Sequence, residues 1–296
     1  MKKIDKHKIG KDVERRGKRK QREVFSRIYD KPKTVNFKTA DQVNMIKNFK
    51  CPKLHQNWPF GRSKNALSVY PVHCSYADFR DDEKWHHLSR KNIGKLAGIN
   101  PKGVDEGHQE LEELTLTGIM ERGSEYTIPL LCRQKRQKAK ARIWYYRPGF
   151  IRNGVDGFDP KQCSGKYFVF HTCIVKSGVW AQLSRKAKAL YMAMRSEAYF
   201  DQQAYGEIEG VFIADQSRDV HAYWSRLSKQ QKAKFTNRKW DVCNTTLKEL
   251  FELARISYNR TRELTNELEE KGLIERVSQH KSLFKVWLKP RKLCQK

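Results

Sequence analysis

The chain has 296 residues, of which 61 are Lys or Arg and 33 are Asp or Glu, for a formal net charge of +28. A charge of that size repels itself unless a polyanion neutralises it, so nucleic acid is the default partner. With 38% apolar residues the chain can bury one or two modest cores, and no apolar run approaches the roughly 18 residues that a membrane span needs.

The charge is uneven. Residues 1–66 hold 20 Lys or Arg and 6 acids, with dense blocks at Lys2-Lys3, Arg15-Arg16 and Lys18-Arg19-Lys20. Residues 1–64 are therefore expected to form a basic N-terminal arm that holds phosphates, a solubilising tail being the alternative. Disorder is expected through about residue 20, with partial order after it around Val24, Phe25, Ile28 and Tyr29. The prolines Pro32, Pro52 and Pro59 argue against a long helix there. The start, Met1-Lys2-Lys3, leads into charge instead of an apolar signal region, and the seven cysteines contain no CxxC pair. Reduced, mostly buried thiols and a cytoplasmic location are the expectation.

The first folded domain is placed at residues 65–150. Leu67, Tyr70, His73, Tyr76 and Ala77 have roughly helical spacing over residues 65–80, against which stands Pro71. Two helices follow, at about 89–98 and 101–115, the second starting with Asn100 as cap and Pro101 at its first position. Strands are expected from Tyr126 to Cys132 and from Arg142 to Tyr146. The connector between them is read as a wing suited to a phosphate backbone or a minor groove. Its candidate DNA contacts are Arg133, Lys135, Arg136, Lys138, Lys140 and, at its end, Arg142. The helix before it offers Lys102 and Gln109 outward but also Asp105, Glu106, Glu110, Glu112 and Glu113. Carboxylates repel phosphates, so a protein contact or a homodimer seam is an equal reading of this helix.

Residues 151–166 read as a linker and 167–292 as the second domain, followed by a C-terminal tail at 293–296. Tyr167 to Val175 alternates like a strand, and Ser184 caps a helix with an apolar stripe at Ala187, Leu190, Tyr191 and Met194. An insertion at 199–243 includes a basic helical candidate from Ala222 to Phe235, read as packed on the domain with solvated lysines. A helix then starts at Ser257 with Thr261, Leu264 and Leu268 facing the core and Tyr258, Asn259, Arg260, Arg262 and Asn266 facing outward. Arg can bond guanine bidentately and Asn can do the same with adenine, which makes this helix the better base reader. A short wing from Ser278 to Ser282 adds Lys281, with Phe284, Val286 and Leu288 on the return strand.

The two domains echo one another. Ile93, Leu96, Ala97, Ile99 and Leu114, ending in Gly118-Ile119-Met120-Glu121-Arg122, line up with Leu250, Leu253, Ala254, Ile256 and Leu268, ending in Gly272-Leu273-Ile274-Glu275-Arg276. The first copy is three residues longer between Ile99 and Gly118. Each glycine is expected to stop its helix in the left-handed conformation before a strand. The fold class is therefore mainly α with small β wings: two winged-helix (helix-turn-helix) domains behind a basic, partly disordered arm.

Enzymatic motifs are not found. Gly165-Lys166 lacks the glycine of a phosphate loop, since Pro160 stands five residues before Gly165. His86-His87 and His73-Cys74 lack zinc spacing, and His171 with Cys163 and Cys173 is only a loose cluster. No His-x-His of a nickase exists. No metal, cofactor or catalytic residue is assigned.

In its tandem arrangement the chain resembles the plasmid and phage replication initiators built from two winged helices. The likeness is carried by Phe168 to Val175 leading to Leu183-Ser184-Arg185-Lys186-Ala187-Lys188-Ala189-Leu190-Tyr191, by Leu253-Ala254-Arg255-Ile256-Ser257 and by Gly272-Leu273-Ile274-Glu275-Arg276, and covers about residues 65–290. The resemblance implies binding to repeated origin sites in double-stranded DNA, local DNA opening, recruitment of host replication proteins, and a homodimer and monomer with different roles. A winged-helix transcription regulator is the alternative, and an RNA-binding or structural component of a nucleoprotein assembly a further one.

Overall fold

α1 (Asn65–Tyr76) is buried along almost its whole length, and that burial explains why a helix survives Pro71 inside it. A mid-helix proline costs about 3 kcal/mol, less than the packing of Leu67, Val69, Tyr70 and Val72 on all sides returns. The computed structural model describes residues 48–52, 64–77, 85–119, 125–138, 141–148, 167–201, 228–230, 238–277 and 283–294. All of them belong to the unit Phe37–Lys296.

α2 (Arg90–Ala97) and α3 (Pro101–Glu113) follow from local chemistry. The Ser89 hydroxyl accepts from the Asn92 N–H at 3.2 Å and the Asn100 side chain from the Gly103 N–H at 2.8 Å, satisfying backbone donors that the helix starts leave free. Ile93, Leu96 and Ala97 on α2 and Val104 and Leu111 on α3 turn inward onto α1. Gly107 lets α3 approach α1 closely, because a Cβ there would lie 2.9 Å from the Asn65 carbonyl carbon and oxygen.

Two hairpins come next, β2 (Thr115–Ile119) with β3 (Glu125–Pro129), and β4 (Leu131–Lys138) with β5 (Ala141–Pro148). They correct two expectations. Gly118 does not stop a helix: α3 ends at Glu113, and Gly118 lies within β2 opposite Tyr126. The residues read as the connector between two strands are themselves mostly strand, since β4 runs to Lys138 and β5 begins at Ala141. Cross-strand pairing of aromatic and cationic side chains carries the ladder through a composition that reads as loop.

β6 (Tyr167–His171) is shorter than the strand expected to Val175. The buried run Cys173, Ile174 and Val175 forms α4 (Cys173–Lys176), because a short apolar run fits a buried helix as well as a strand. β6 pairs antiparallel with β1 (Asn48–Pro52), so five residues of the stretch read as arm belong to a sheet. After α5 (Val179–Gln182), Ser184 caps α6 (Arg185–Glu197), accepting from the Ala187 N–H at 3.1 Å, and the expected stripe of Ala187, Leu190, Tyr191 and Met194 is buried.

β7 (Trp240–Cys243), α7 (Leu247–Leu253), a 3-10 turn at Tyr258–Arg260, α8 (Thr261–Glu270), β8 (Ile274–Arg276), β9 (Phe284–Trp287) and α9 (Arg291–Cys294) complete the chain, with sheet order β7-β9-β8. The end of the insertion at 199–243 thus supplies an edge strand; the helical candidate Ala222 to Phe235 lies outside the described residues apart from 228–230. The arm through residue 47, the linker 151–166 and the wing Ser278 to Ser282 also lie outside them. A buried ion pair ties this half together: Arg195 of α6 reaches Asp241 of β7 at 3.0 Å, Arg238 reaches the same carboxylate at 2.7 Å, and Arg195 also donates to the Val169 carbonyl of β6.

The halves are built around one another. The Trp180 indole N–H donates to the Ser68 carbonyl of α1 at 2.9 Å. The Lys188 ammonium of α6 donates to the Ala97 carbonyl at the end of α2 at 2.7 Å, and the Lys64 ammonium at the start of α1 donates to the Ala254 carbonyl at the end of α7 at 2.6 Å. Ala97 and Ala254 are equivalent positions of the internal repeat, so each half caps the other's helix, where a cation suits the negative end of the dipole. Burial lowers the Lys188 pKa to about 8. The molecule is a mixed α/β structure of helices with small antiparallel sheets, and among the described residues no helix is long and apolar enough to cross a membrane.

Candidate nucleic-acid interface

The turn that aims α8 begins at the end of α7. Arg255 takes a left-handed φ of 50°, and the Ile256 N–H returns to the Phe251 carbonyl at 3.0 Å. Ser257 makes no side-chain cap, so the helix expected from Ser257 opens as a 3-10 turn and becomes α-helical only at Thr261. This tight start places Tyr258, Asn259 and Arg260 at the leading end of the element, all exposed. Tyr258 is 53% exposed and rests edge-on against Phe251, with centroids 5.5 Å apart.

The division of faces on α8 matches the expected one. Leu264 and Leu268 are buried and Thr261 is half-buried, while Arg262 and Asn266, one turn apart, are exposed on a single face. Its acids are partly drawn away from that face: Glu267 accepts from the Ser184 N–H and hydroxyl, and Glu269 lies 4.0 Å from Arg276. Arg260 lies 3.5 Å from Glu263. Among the described residues, Asn259, Arg262 and Asn266 have no side-chain partner. Lys281 lies outside the described residues.

α3 is less acidic outward than its sequence reads. The Arg90 guanidinium holds Asp105 at 2.7 Å, the Asn65 amide donates to Glu106 at 2.8 Å, and Arg133 binds Glu112 through two hydrogen bonds. Lys102 and Gln109 are exposed, with Lys102 at 4.0 Å from Glu106.

Arg133, Lys135 and Arg136 stand on β4, not in a loop. Lys138 ends β4 and Arg142 lies in β5 opposite Gln137, whereas Lys140 lies outside the described residues. Aromatic rings that the sequence reading did not weigh surround these cations: Trp85, Trp144 and Tyr145. The run Trp144-Tyr145-Tyr146-Arg147 beside a cationic stretch was the available signal.

Beneath the hairpin lies a chain of three histidines from separate segments. His73 of α1 meets His86 through Nδ1 at 3.0 Å and His108 of α3 through Nε2 at 2.9 Å, and the Tyr146 ring packs on all three. Burial lowers all three: His73 well below its ordinary range, with the other imidazoles adding, His86 to about 4, and His108 to about 3, with Arg133 adding. Both ring nitrogens of His73 are occupied by imidazoles, so this is a neutral hydrogen-bonded chain that fixes α1, α3 and the hairpin together. Among the described residues no group of three or more His, Cys, Asp or Glu side chains is arranged to hold a metal ion.

Compared with known proteins, the chain matches no family model, no curated protein and no solved structure.

Proposed function

We propose that this chain is a non-catalytic, sequence-specific double-stranded DNA-binding protein of two winged-helix halves, α1-α2-α3 with β2 and β3, and α6-α7-α8 with β8 and β9. The observation that carries this reading is the leading end of α8. An aromatic ring, an amide and two guanidinium groups (Tyr258, Asn259, Arg260 and Arg262) lie exposed there behind a tight left-handed turn, and the opposite face is buried. The first residues of a recognition helix are those that reach base edges in the major groove, and Arg and Asn are the side chains able to read guanine and adenine bidentately. The overall charge of +28 supplies the sequence-independent attraction to phosphates.

Within that class, the initiator role is the reading favoured by the tandem arrangement: binding repeated origin sites of a plasmid or phage-like element in the cytoplasm, with host replication proteins and a second copy of the chain as further partners. The test has two arms. Selection of bound duplexes from a random pool should return one preferred sequence, and DNA flanking the gene, joined to it on a circle lacking any other origin, should replicate. A preferred sequence without replication would replace the initiator by a transcription regulator, and no preferred sequence would remove base reading altogether.

A further inference from the structure

The β4–β5 hairpin presents an aromatic and cationic surface that base reading by α8 leaves unused. Opposed residues of an antiparallel pair share a face, so Lys135 stands beside Trp144 and Arg133 beside Tyr146 on one side, with Gln134 beside Tyr145 and Cys132 beside Arg147 on the other. On the first side Tyr146 is buried over the histidines, but Trp144 is 40% exposed. The Arg133 guanidinium lies 5.1 Å and the Lys135 ammonium 5.5 Å from its ring centroid. On the second side Arg136 lies 5.6 Å from the Trp85 ring and 5.3 Å from Tyr145, and Arg147 lies 5.2 Å from Trp85.

We propose that this hairpin is a stacking site for unpaired nucleobases, with Trp144 as the platform for a base, Lys135 on the same face set for the phosphate beside it, and Arg136 and Arg147 on the opposite face adding to the positive charge of the ribbon. Charge selects a polyanion. Of these cations and Arg133, only Arg133 has a carboxylate partner among the described residues, Glu112. Geometry selects the single strand over the duplex. Trp144 sits inside the strand, opposite Lys135, and so lies along the ribbon instead of projecting from its tip. A wedge that opens a base step has to project, whereas a base splayed out of a strand needs only an exposed ring and nearby cations. In a duplex the base faces are already covered by their neighbours, which leaves the indole nothing to stack on. The surface lies on other elements than α8, and the proposal does not rest on what α8 reads.

The test uses the full chain and fluorescence anisotropy with labelled oligo(dT), oligo(U) and a duplex of equal length, at one salt concentration. Trp144→Ala should weaken the single strands by roughly tenfold to a hundredfold, the range of losing one stacked base, and leave the duplex unchanged. Trp144→Phe should keep most of the affinity and Trp144→Leu should not, because a flat π face and not apolar bulk is required. Should Trp144→Ala fail to fold, the contrast between Phe and Leu decides alone. Tighter binding of oligo(dT) assigns a DNA strand and tighter binding of oligo(U) an RNA strand, each in support. Equal losses on the duplex, equal behaviour of Phe and Leu, or no change with any variant would each overturn the proposal.

Discussion

Gly98 and Arg255 hold the same left-handed turn in the two halves, at φ 62° and 50°, each followed by an isoleucine whose N–H returns to a carbonyl five residues back at 3.0 Å. The backbone is shared but the surroundings are not. A Cβ at Gly98 would lie 2.0 Å from the Ala181 carbonyl oxygen of α5, whereas Arg255 carries its side chain exposed.

Gly98→Ala should therefore destabilise the protein by about 3 kcal/mol or more, through a clash with backbone added to a strained φ. Arg255→Gly should stay within about 1 kcal/mol of the parent, since relief of left-handed strain offsets the added freedom of the unfolded chain. Urea unfolding of both variants checks the contrast. A Gly98→Ala protein as stable as the parent would show that the turn does not rest on α5.

Arg260→Ala and Arg262→Ala should cost on the order of 1–3 kcal/mol on the selected duplex and much less on random DNA. Arg262 is expected to matter more, because Arg260 is shared with Glu263. Titrations on both duplexes measure this. Equal losses would mark phosphate contacts, and no loss would take α8 out of DNA reading.

The histidine chain makes stability acid-sensitive. Burial lowers the folded pKa values of His73, His86 and His108 below 6.5, to about 4 and about 3 for the latter two, so the unfolded chain takes up protons first. Their effect is absent above roughly pH 6.5, and stability falls as the pH drops from there through the folded values, by up to about 1.4 kcal/mol per pH unit for each histidine. His86→Phe keeps a ring under Tyr146 and should flatten the dependence by about one proton in melts taken between neutral and acid pH. An unchanged slope would mean that His86 is not buried as a neutral group.

Asp241 is the shared anion of Arg195 and Arg238. Asp241→Ala should cost about 3–5 kcal/mol, because it strands the buried Arg195 charge, and a further Arg195→Met should recover a good part of the loss. A double-mutant cycle by chemical unfolding reads the coupling, and additive losses would refute it.

Elements whose cause is local were legible in the chain. Asn100 and Ser184 cap where their amide or hydroxyl falls just before an apolar stripe, and Leu264 and Leu268 face inward because their spacing is helical. What was not legible depends on partners far away. β1 becomes a strand only against β6, and Lys135 to Lys138 stay extended because β5 lies alongside. His73, His86 and His108 carry no motif, since three separate segments bring them together. Gly118 misled because the same residue that ends a helix also fits a strand, and the extra three residues of the first copy shift it past the turn.

The crossed bonds from Lys188 to the Ala97 carbonyl and from Lys64 to the Ala254 carbonyl bear on how such a molecule can be taken apart. Each half holds the closure of the other's helix, so a cut between them uncaps both at once and leaves two buried carbonyls facing water. The repeat has the look of a doubled unit, yet the copies have exchanged a necessary part. Taken alone, each would lose the cation that closes one of its helices, and a change of angle between them strains a charged bond on both sides of the seam.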